Sequence, residues 1–330
     1  MLKIGKLDND LLKKIVLEKI KYKRDEVMVR PGIGEDCAVL DYGEYECVLS
    51  TDPITAAIEK IGSLAVHISC NDIASNGIEP VGLLLTVLLP DKTTEEDIEE
   101  LMAQAAEAAE ELKVEIIGGH TEITAAVNQP VIVSTAVGRG AKGGSQSASK
   151  MKPGDRIYIT KTAGLEGTGI MAADKGEELS RFLTEDELKQ AADMLEDVSV
   201  VKEGVLAGKI GTSGMHDITE GGVLGAVWEM CRIANMGAEI FYEDIPISPL
   251  TNKICKFFGL NPLRLISSGS MMIIVNEDKA GEMENQMAEA NIELTKIGSV
   301  KTKEEGLTLV KDGESVAIDP PGSDEIYKSV

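Results

Sequence analysis

Aromatic side chains make up only 3% of this 330-residue chain, and Trp228 is the single tryptophan. Any core must therefore be aliphatic, and an apolar content of 43% is enough to build one. Positive charge is also scarce: 33 Lys and Arg stand against 56 Asp and Glu, a formal net charge of −23. Such a surface repels phosphodiester backbones and anionic lipids, so neither nucleic acid nor membrane is an expected partner. The simplest role for the charge is solubility. No apolar run reaches 18 residues, which excludes a membrane-spanning helix. The opening Met1-Leu2-Lys3-Ile4-Gly5-Lys6 lacks the apolar core of a signal peptide, and a cytoplasmic location is expected. The five cysteines (Cys37, Cys47, Cys70, Cys231, Cys255) contain no CxxC pair and no zinc spacing. Their odd number reads as buried reduced thiols. Cys37 and Cys70 adjoin acidic motifs, where neighbouring carboxylates would raise a thiol pKa and oppose a nucleophilic role.

What the chain does have is a series of acidic clusters beside small residues: Gly34-Glu35-Asp36-Cys37-Ala38-Val39, Ser50-Thr51-Asp52-Pro53, Asn71-Asp72-Ile73-Ala74-Ser75-Asn76-Gly77 and Gly118-Gly119-His120-Thr121-Glu122. The first, second and fourth sit at the edges of apolar runs. Carboxylates at strand ends of one sheet face one cleft, where they repel each other unless a cation neutralises them. Oxygen ligands of this kind suit Mg²⁺ shared with substrate phosphates, which makes a Mg-nucleotide site the expectation.

At this length two domains are expected, 1–150 and 151–330, divided by the linker-like stretch Gly143-Gly144-Ser145-Gln146-Ser147-Ala148-Ser149. Hydrophobic periodicity predicts helices over Asn9–Ile20, Gly62–Asn76 and Glu95–Leu112, with strands at Ala38–Leu40, Cys47–Ser50, Val81–Leu89, Val114–Ile117 and Val131–Val137. Gly77 is suited to cap the second helix. In the second half, strands are expected at Arg156–Thr160, Met271–Val275, Ile297–Val300 and Leu307–Leu309. Helices are expected over Glu185–Leu195, with a Thr184/Glu187 capping box, and over Val200–Gly208. Gly167 and Gly169 suit either close backbone packing or an anion contact at a helix start. Met215-His216-Asp217-Ile218-Thr219-Glu220-Gly221-Gly222-Val223 opens a helix over Val223–Ile233, with Asp217 and Thr219 as candidate N-caps. The fold class is mixed α/β (α+β). Val81–Leu89 is too apolar for an exposed edge, which points to burial in a homodimer.

Of the three histidines, His67 lies on an apolar helix and reads as a core residue. His120 suits a phosphate or acceptor contact or a structural place. His216, beside Asp217, could move a proton or be structural.

Taken in order, Gly-Glu-Asp-Cys-Ala-Val, Ser-Thr-Asp, Asn-Asp-Ile-Ala-Ser-Asn-Gly, Gly-Gly-His-Thr-Glu and His-Asp-Ile-Thr-Glu-Gly-Gly-Val resemble the aminoimidazole ribonucleotide (AIR) synthetase superfamily. That superfamily also holds selenophosphate synthetase, thiamine-monophosphate kinase and the hydrogenase maturation factor HypE. The resemblance runs from Gly32 to about Tyr327. It is nearest to HypE-related proteins through Thr51-Asp52-Pro53-Ile54, Ala65-Val66-His67-Ile68 and Ile266-Ser267-Ser268-Gly269-Ser270. It implies a two-domain PurM-like fold whose N-terminal mixed sheet joins a second copy in a dimer barrel, with helices outside. The C-terminal domain would be an α/β sandwich closing the cleft, and ATP would bind at the barrel edge through Mg²⁺.

Carried over by position, Asp36, Asp52 and Asp72 match metal carboxylates. Gly34 falls in the Gly-rich loop, Asn71 beside the helix aspartate, and Gly118, Gly119 and Thr121 in a phosphate-side loop, with His120 and Glu122 at variable places. Asp217 matches the C-terminal aspartate that closes the cleft, and Thr219, Gly221 and Gly222 lie at the helix start that would hold phosphate oxygens. One departure stands out: HypE proper ends in a reactive cysteine, whereas no cysteine follows Cys255 here. The reactive-cysteine pattern of selenophosphate synthetase and the C-terminal signature of the thiamine kinase are also missing. The resemblance thus implies an ATP-dependent enzyme activating an oxygen of an amide, carbamoyl or phosphate acceptor. The alternative is a nucleotide-binding maturation or scaffold protein, working with a partner protein and turning over little ATP itself.

Overall fold

The computed structural model describes residues 7–55 and 60–328. Among these residues the chain forms two sheets, each flanked by helices. The first sheet contains β1 (Val27–Val29), β2 (Ala38–Tyr42), β3 (Tyr45–Ile54), β4 (Pro80–Leu89), β5 (Glu115–Ile123) and β6 (Val131–Ala141), in the order β1-β2-β3-β6-β4-β5. All neighbours are antiparallel except β4 and β5, which run parallel. Its helices are α1 (Asn9–Ile15), α2 (Ile61–Ser75) and α3 (Glu95–Leu112). The acidic first turn of α3 follows a Thr94/Asp97 capping box, and Leu101, Ala105, Ala108 and Ala109 form its buried stripe.

The second sheet contains β7 (Arg156–Thr160), β8 (Gly214–Asp217), β9 (Gly237–Phe241), β10 (Met271–Val275), β11 (Leu294–Lys301), β12 (Leu307–Lys311) and β13 (Glu314–Ala317), in the order β13-β12-β9-β11-β7-β10-β8. Around it lie α4 (Leu165–Asp174), α5 (Gly176–Leu179), α6 (Glu185–Asp193), α7 (Val201–Ile210), α8 (Gly222–Ala234), α9 (Pro249–Phe258) and α10 (Glu277–Glu289). Every residue of β10 is buried, as expected of a central strand covered on both faces.

Helix α2 joins the halves. It is buried along all of its length except Ser63, because α3, β3 and β6 cover one side while α7 and β8 cover the other. That explains its nearly uniform hydrophobicity, which a surface helix would not tolerate. The contact with α7 depends on small residues. A Cβ added at Gly204 would lie 2.3 Å from the Ala74 carbonyl oxygen, and one at Gly208 would lie 2.5 Å from Gly77 Cα. Asn71 supplies the polar strap: its Nδ2 donates to the Val198 carbonyl (2.7 Å), and its Oδ1 accepts from the Val200 N–H (2.8 Å).

Two local expectations are corrected, and one choice between alternatives is decided. Gly118 through Glu122 is not a loop but the middle of β5, at the sheet edge. The pair of glycines is needed because the ladder to β4 shifts register around Ile117, and a Cβ at Gly119 would lie 1.9 Å from Leu85 O. Gly167 and Gly169 lie inside α4, packed on Leu265 and Leu195, so close packing is the reason for them. Neither Asp217 nor Thr219 caps α8. Asp217 ends β8, and Gly221, at φ +89°, occupies the cap position with no side-chain hydrogen bond.

Candidate functional site

The acidic motifs of the two halves converge where α2 passes β8. Asp36 precedes β2, Asp52 lies near the end of β3, Asp72 is in the last turn of α2 and Asp217 closes β8. Asp36 and Asp217 can each place a carboxylate oxygen, and His216 a ring nitrogen, so that all three atoms lie within 4.8 Å of one another. Asp217, Asp52 and Asp36 all act electrostatically on Asp72. The Ser50 hydroxyl donates to Asp72 Oδ2, while Cys37 Sγ (3.2 Å) and Ser75 Oγ (2.7 Å) donate to the Asp72 carbonyl. Gly34 is positioned two residues earlier, at φ +77°, against Ile233 of α8.

Burial first, and charge repulsion after it, govern this centre. Burial, then Asp217, Asp52 and Asp36, push the Asp72 carboxyl well above the usual range. Asp217 is raised to about 7 by burial and by Asp36, although His216 opposes the shift. Both oxygens of Asp217 are buried without a hydrogen-bond partner. A buried carboxylate in that state is costly unless a cation reaches it. His216 is the local counter-charge. Burial would lower its pKa, but Asp36, Glu229 and Asp217 outweigh that and bring it to about 10. Its Nε2 stands 3.4 Å from Asp36 Oδ2 and 3.5 Å from Glu229 Oε2, while Nδ1 meets the Asp217 carbonyl at 2.5 Å. The two nitrogens fit a doubly protonated ring that orients carboxylates. Cys37 is held protonated first by burial and then by Asp72, Asp36, Asp217 and Asp52, which removes the thiolate reading.

The cluster opens into a cleft lined by Asp36, Asp52 and Asp72 of the N-terminal half and by Glu166, Thr219, Glu220, Ile266 and Ser268 of the C-terminal half. None of the described lining residues is Lys or Arg. Oxygen donors from carboxylates without basic neighbours fit a hard divalent cation such as Mg²⁺.

The sequence-predicted residues fall into two sets. Asp36, Asp52, Asp72, His216, Asp217 and Thr219 come together, with Gly34, Asn71, Gly221 and Gly222 around them. The Asn71 amide is engaged on the 198–200 backbone. The Gly221 N–H donates to Asp324 Oδ2 (2.7 Å), and the Gly222 N–H donates to the Thr219 carbonyl (3.1 Å). Gly118, Gly119, His120 and Thr121 are not brought to the cluster within one chain. In the sheet register Gly119 pairs with Leu85, Leu85 with Ser134 and Ser134 with Asp52. Three strand spacings amount to about 14 Å. His120 is exposed and pairs with Glu122 at 3.1 Å. Sequence reasoning passed over Glu166, Glu220, Ser268 and Glu229. The signal for Glu166 is an acidic residue among the small residues of Gly164-Leu165-Glu166-Gly167-Thr168-Gly169.

Known proteins give a consistent comparison. The AIR synthase related protein family matches through its N-terminal domain at residues 34–140 and through its C-terminal domain at residues 152–310. A carbamoyl dehydratase HypE of Bradyrhizobium diazoefficiens is 32% identical over 255 residues, covering 75% of this chain and 72% of that protein. A HypE crystal structure in complex with ATP superposes with a TM-score of 0.73 at 22% identity, covering 98% of each chain. A HypE–HypF complex gives 0.73 at 23% identity, covering 94% of this chain and 99% of that one. Likeness at that identity speaks for a shared two-domain PurM-like fold.

Proposed function

The chain belongs to the AIR synthase related protein family, and on that premise we propose that it binds ATP with Mg²⁺ in this cleft and uses the nucleotide to activate an oxygen of an amide, carbamoyl or phosphate acceptor. The observation that carries the reading is Asp217: a carboxylate at the end of β8, both oxygens buried and without a hydrogen-bond partner, set against Asp36, Asp52 and Asp72 of the N-terminal half. Those four would hold the cation. Bound there, Mg²⁺ supplies neutralisation of phosphate charge in a cleft with no basic residue among its described lining.

The chain's own groups do the rest. His216, buried and charged, keeps Asp36 and Glu229 oriented and limits the repulsion among the aspartates. Thr219 and Glu220, just before α8, line the cleft, and the positive dipole end of that helix would favour a phosphate oxygen beside them. Residues of both domains line the cleft, so nucleotide binding would tie the domains 1–150 and 151–330 together and exclude water from the acceptor. His120, with Gly118, Gly119 and Thr121, would act only across a homodimer. The outward Val81 and Leu84, with Ile117 and Ile123 on the edge strand, offer an apolar surface for that contact.

Titration calorimetry tests the reading: ATP should bind with Mg²⁺ and fail to bind in EDTA. Asp72→Asn should weaken Mg-ATP binding tenfold or more with the fold intact. Unchanged binding with a lowered melting temperature would make Asp72 structural and remove the metal reading. A second reading has support in the HypE–HypF complex: a maturation protein that turns over little ATP until a partner protein docks. ATP hydrolysis measured alone and with a purified partner separates the two, because an enzyme that acts on a small molecule needs no partner.

A further inference from the structure

Segment 318–328 takes hold of the backbone beside the cleft, at a point that the nucleotide reading leaves unexplained. Helix α8 is entered through Gly221-Gly222, both in the left-handed region (φ +89° and +59°), and no side chain of its own caps it. Two successive glycines leave the 219–222 turn with little local restraint. The restraint comes from 103 residues further along, where Asp324 Oδ2 accepts the Gly221 N–H at 2.7 Å. Its Oδ1 accepts the Ile266 N–H (3.1 Å) and the Ile326 N–H (2.9 Å). One carboxylate therefore binds three segments: the entry to α8, the 263–268 loop and its own. Asp324 is 2% exposed and is not among the described residues that line the cleft.

The segment that carries Asp324 is itself pinned. The Ile318 N–H donates to the Leu307 carbonyl (2.9 Å), Arg264 Nη2 donates to the Asp319 carbonyl (2.8 Å), and the Asn261 N–H donates to Glu325 Oε2 (3.1 Å). Ile318 and Ile326, on either side of Asp324, are buried. Pro320 and Pro321 stiffen the stretch between them. The approach to α8 is close: a Cβ on Gly221 would lie 3.1 Å from Pro321 Cβ, and one on Gly222 would lie 2.7 Å from Leu263 O. The two glycines allow the helix start to sit between segment 318–328 and the 263–268 loop, and Asp324 holds it there.

We infer that Asp324 is a positioning residue for the cleft: it acts through the backbone of Gly221 and Ile266 to set Thr219, Glu220 and Ile266 against Asp36, Asp52 and Asp72. The inference rests on the proposed binding of Mg-ATP. Thr219, Glu220 and Ile266 line the cleft from the C-terminal half, so a shift of these two backbone segments changes the space between the halves. A carboxylate that accepts three N–H groups fixes their mutual geometry, and its loss leaves three buried donors without an acceptor. Neutral side chains replace it poorly. Alanine offers no acceptor, and asparagine offers one oxygen to donors that now use two.

Two measurements on the full chain test this: hydrogen exchange, read by mass spectrometry on peptides spanning 219–224 and 264–268, and Mg-ATP calorimetry. In Asp324→Ala both peptides should exchange at least tenfold faster while β10 keeps its protection, and Mg-ATP should bind at least tenfold more weakly. Asp324→Asn should fall between alanine and the parent, and it carries the test if the alanine variant does not fold. Met283→Ala is the control. It truncates a buried side chain of α10 that is not among the described cleft lining, so it should lower the melting temperature yet leave Mg-ATP affinity within twofold. A purely structural Asp324 would behave like Met283. Unchanged exchange in the Asp324 variants overturns the inference, and so does faster exchange with the parent's Mg-ATP affinity. A parent chain that does not bind Mg-ATP, with exchange still accelerated in the variants, keeps the hold of Asp324 on the two loops and sinks the nucleotide reading instead.

Discussion

Replacing Asp217 by Asn should make the metal-free protein more stable and should remove its response to magnesium. Asp217 is fully buried, and its pKa is raised from 3.8 to about 7. A carboxyl raised in this way favours the protonated folded state. Ionisation therefore costs stability progressively as pH rises from about 4 to 7, and in full above that. At about 1.4 kcal/mol per pKa unit, the cost at pH 8 is at most about 4 kcal/mol, part of it shared with Asp36 and Asp52. Asparagine keeps the shape and removes the charge, so a gain of roughly 2–4 kcal/mol is expected in EDTA, or a melting temperature higher by about 4–10 °C for a chain of this size. The wild type should gain stability from millimolar Mg²⁺, by about 2.7 kcal/mol when the ion stands at a hundred times its dissociation constant, whereas the variant should gain almost nothing. The assay is thermal melting at pH 8 in EDTA and in Mg²⁺, repeated at pH 4, where the advantage of asparagine should nearly vanish. A variant less stable than wild type in EDTA, or one with an intact magnesium response, would refute the reasoning.

Four further outcomes are expected. Asn71→Ala removes two buried hydrogen bonds to the 198–200 backbone and should cost roughly 2–4 kcal/mol in urea unfolding. Gly204→Ala should destabilise the fold and weaken Mg-ATP binding together, because its Cβ meets Ala74 O at 2.3 Å and must push α7 from α2; a more stable variant would show that the contact yields. Burial lowers the His67 pKa to about 4 from 6.5, so its contribution to stability is whole above pH 6.5 and is lost as pH falls through 4. His67→Leu should flatten that acid limb by up to about 3 kcal/mol, as read by denaturation from pH 7 to 4. Leu84→Glu, on the outward face of β4, should shift the mass measured by light scattering from dimer to monomer at micromolar concentration; a wild-type monomer under the same conditions removes the dimer.

Much of this molecule was legible in one dimension. Glu95–Leu112 announced itself by an amphipathic helical period with an Ala-rich face, Met271–Val275 by an unbroken apolar run, and α2 by its lack of a polar face. The aspartates were legible for a related reason. A carboxylate placed beside glycine and an apolar strand has few structural uses, and their fixed order marked the family. Conformation within Gly-Gly-His-Thr-Glu was not legible, because glycine permits both a loop and a bulged strand, and only pairing with β4 selects the strand. Nor was the company each residue keeps. Asp217 and Asp36 lie 181 positions apart in sequence, and they share a cluster only because Asn71, Gly204 and Gly208 dock α2 onto the second domain. Local propensity and periodicity determined the elements and the kinds of chemistry available. Long-range packing decided which oxygens are left buried together without partners, because desolvation and repulsion arise only once separate segments are brought into contact.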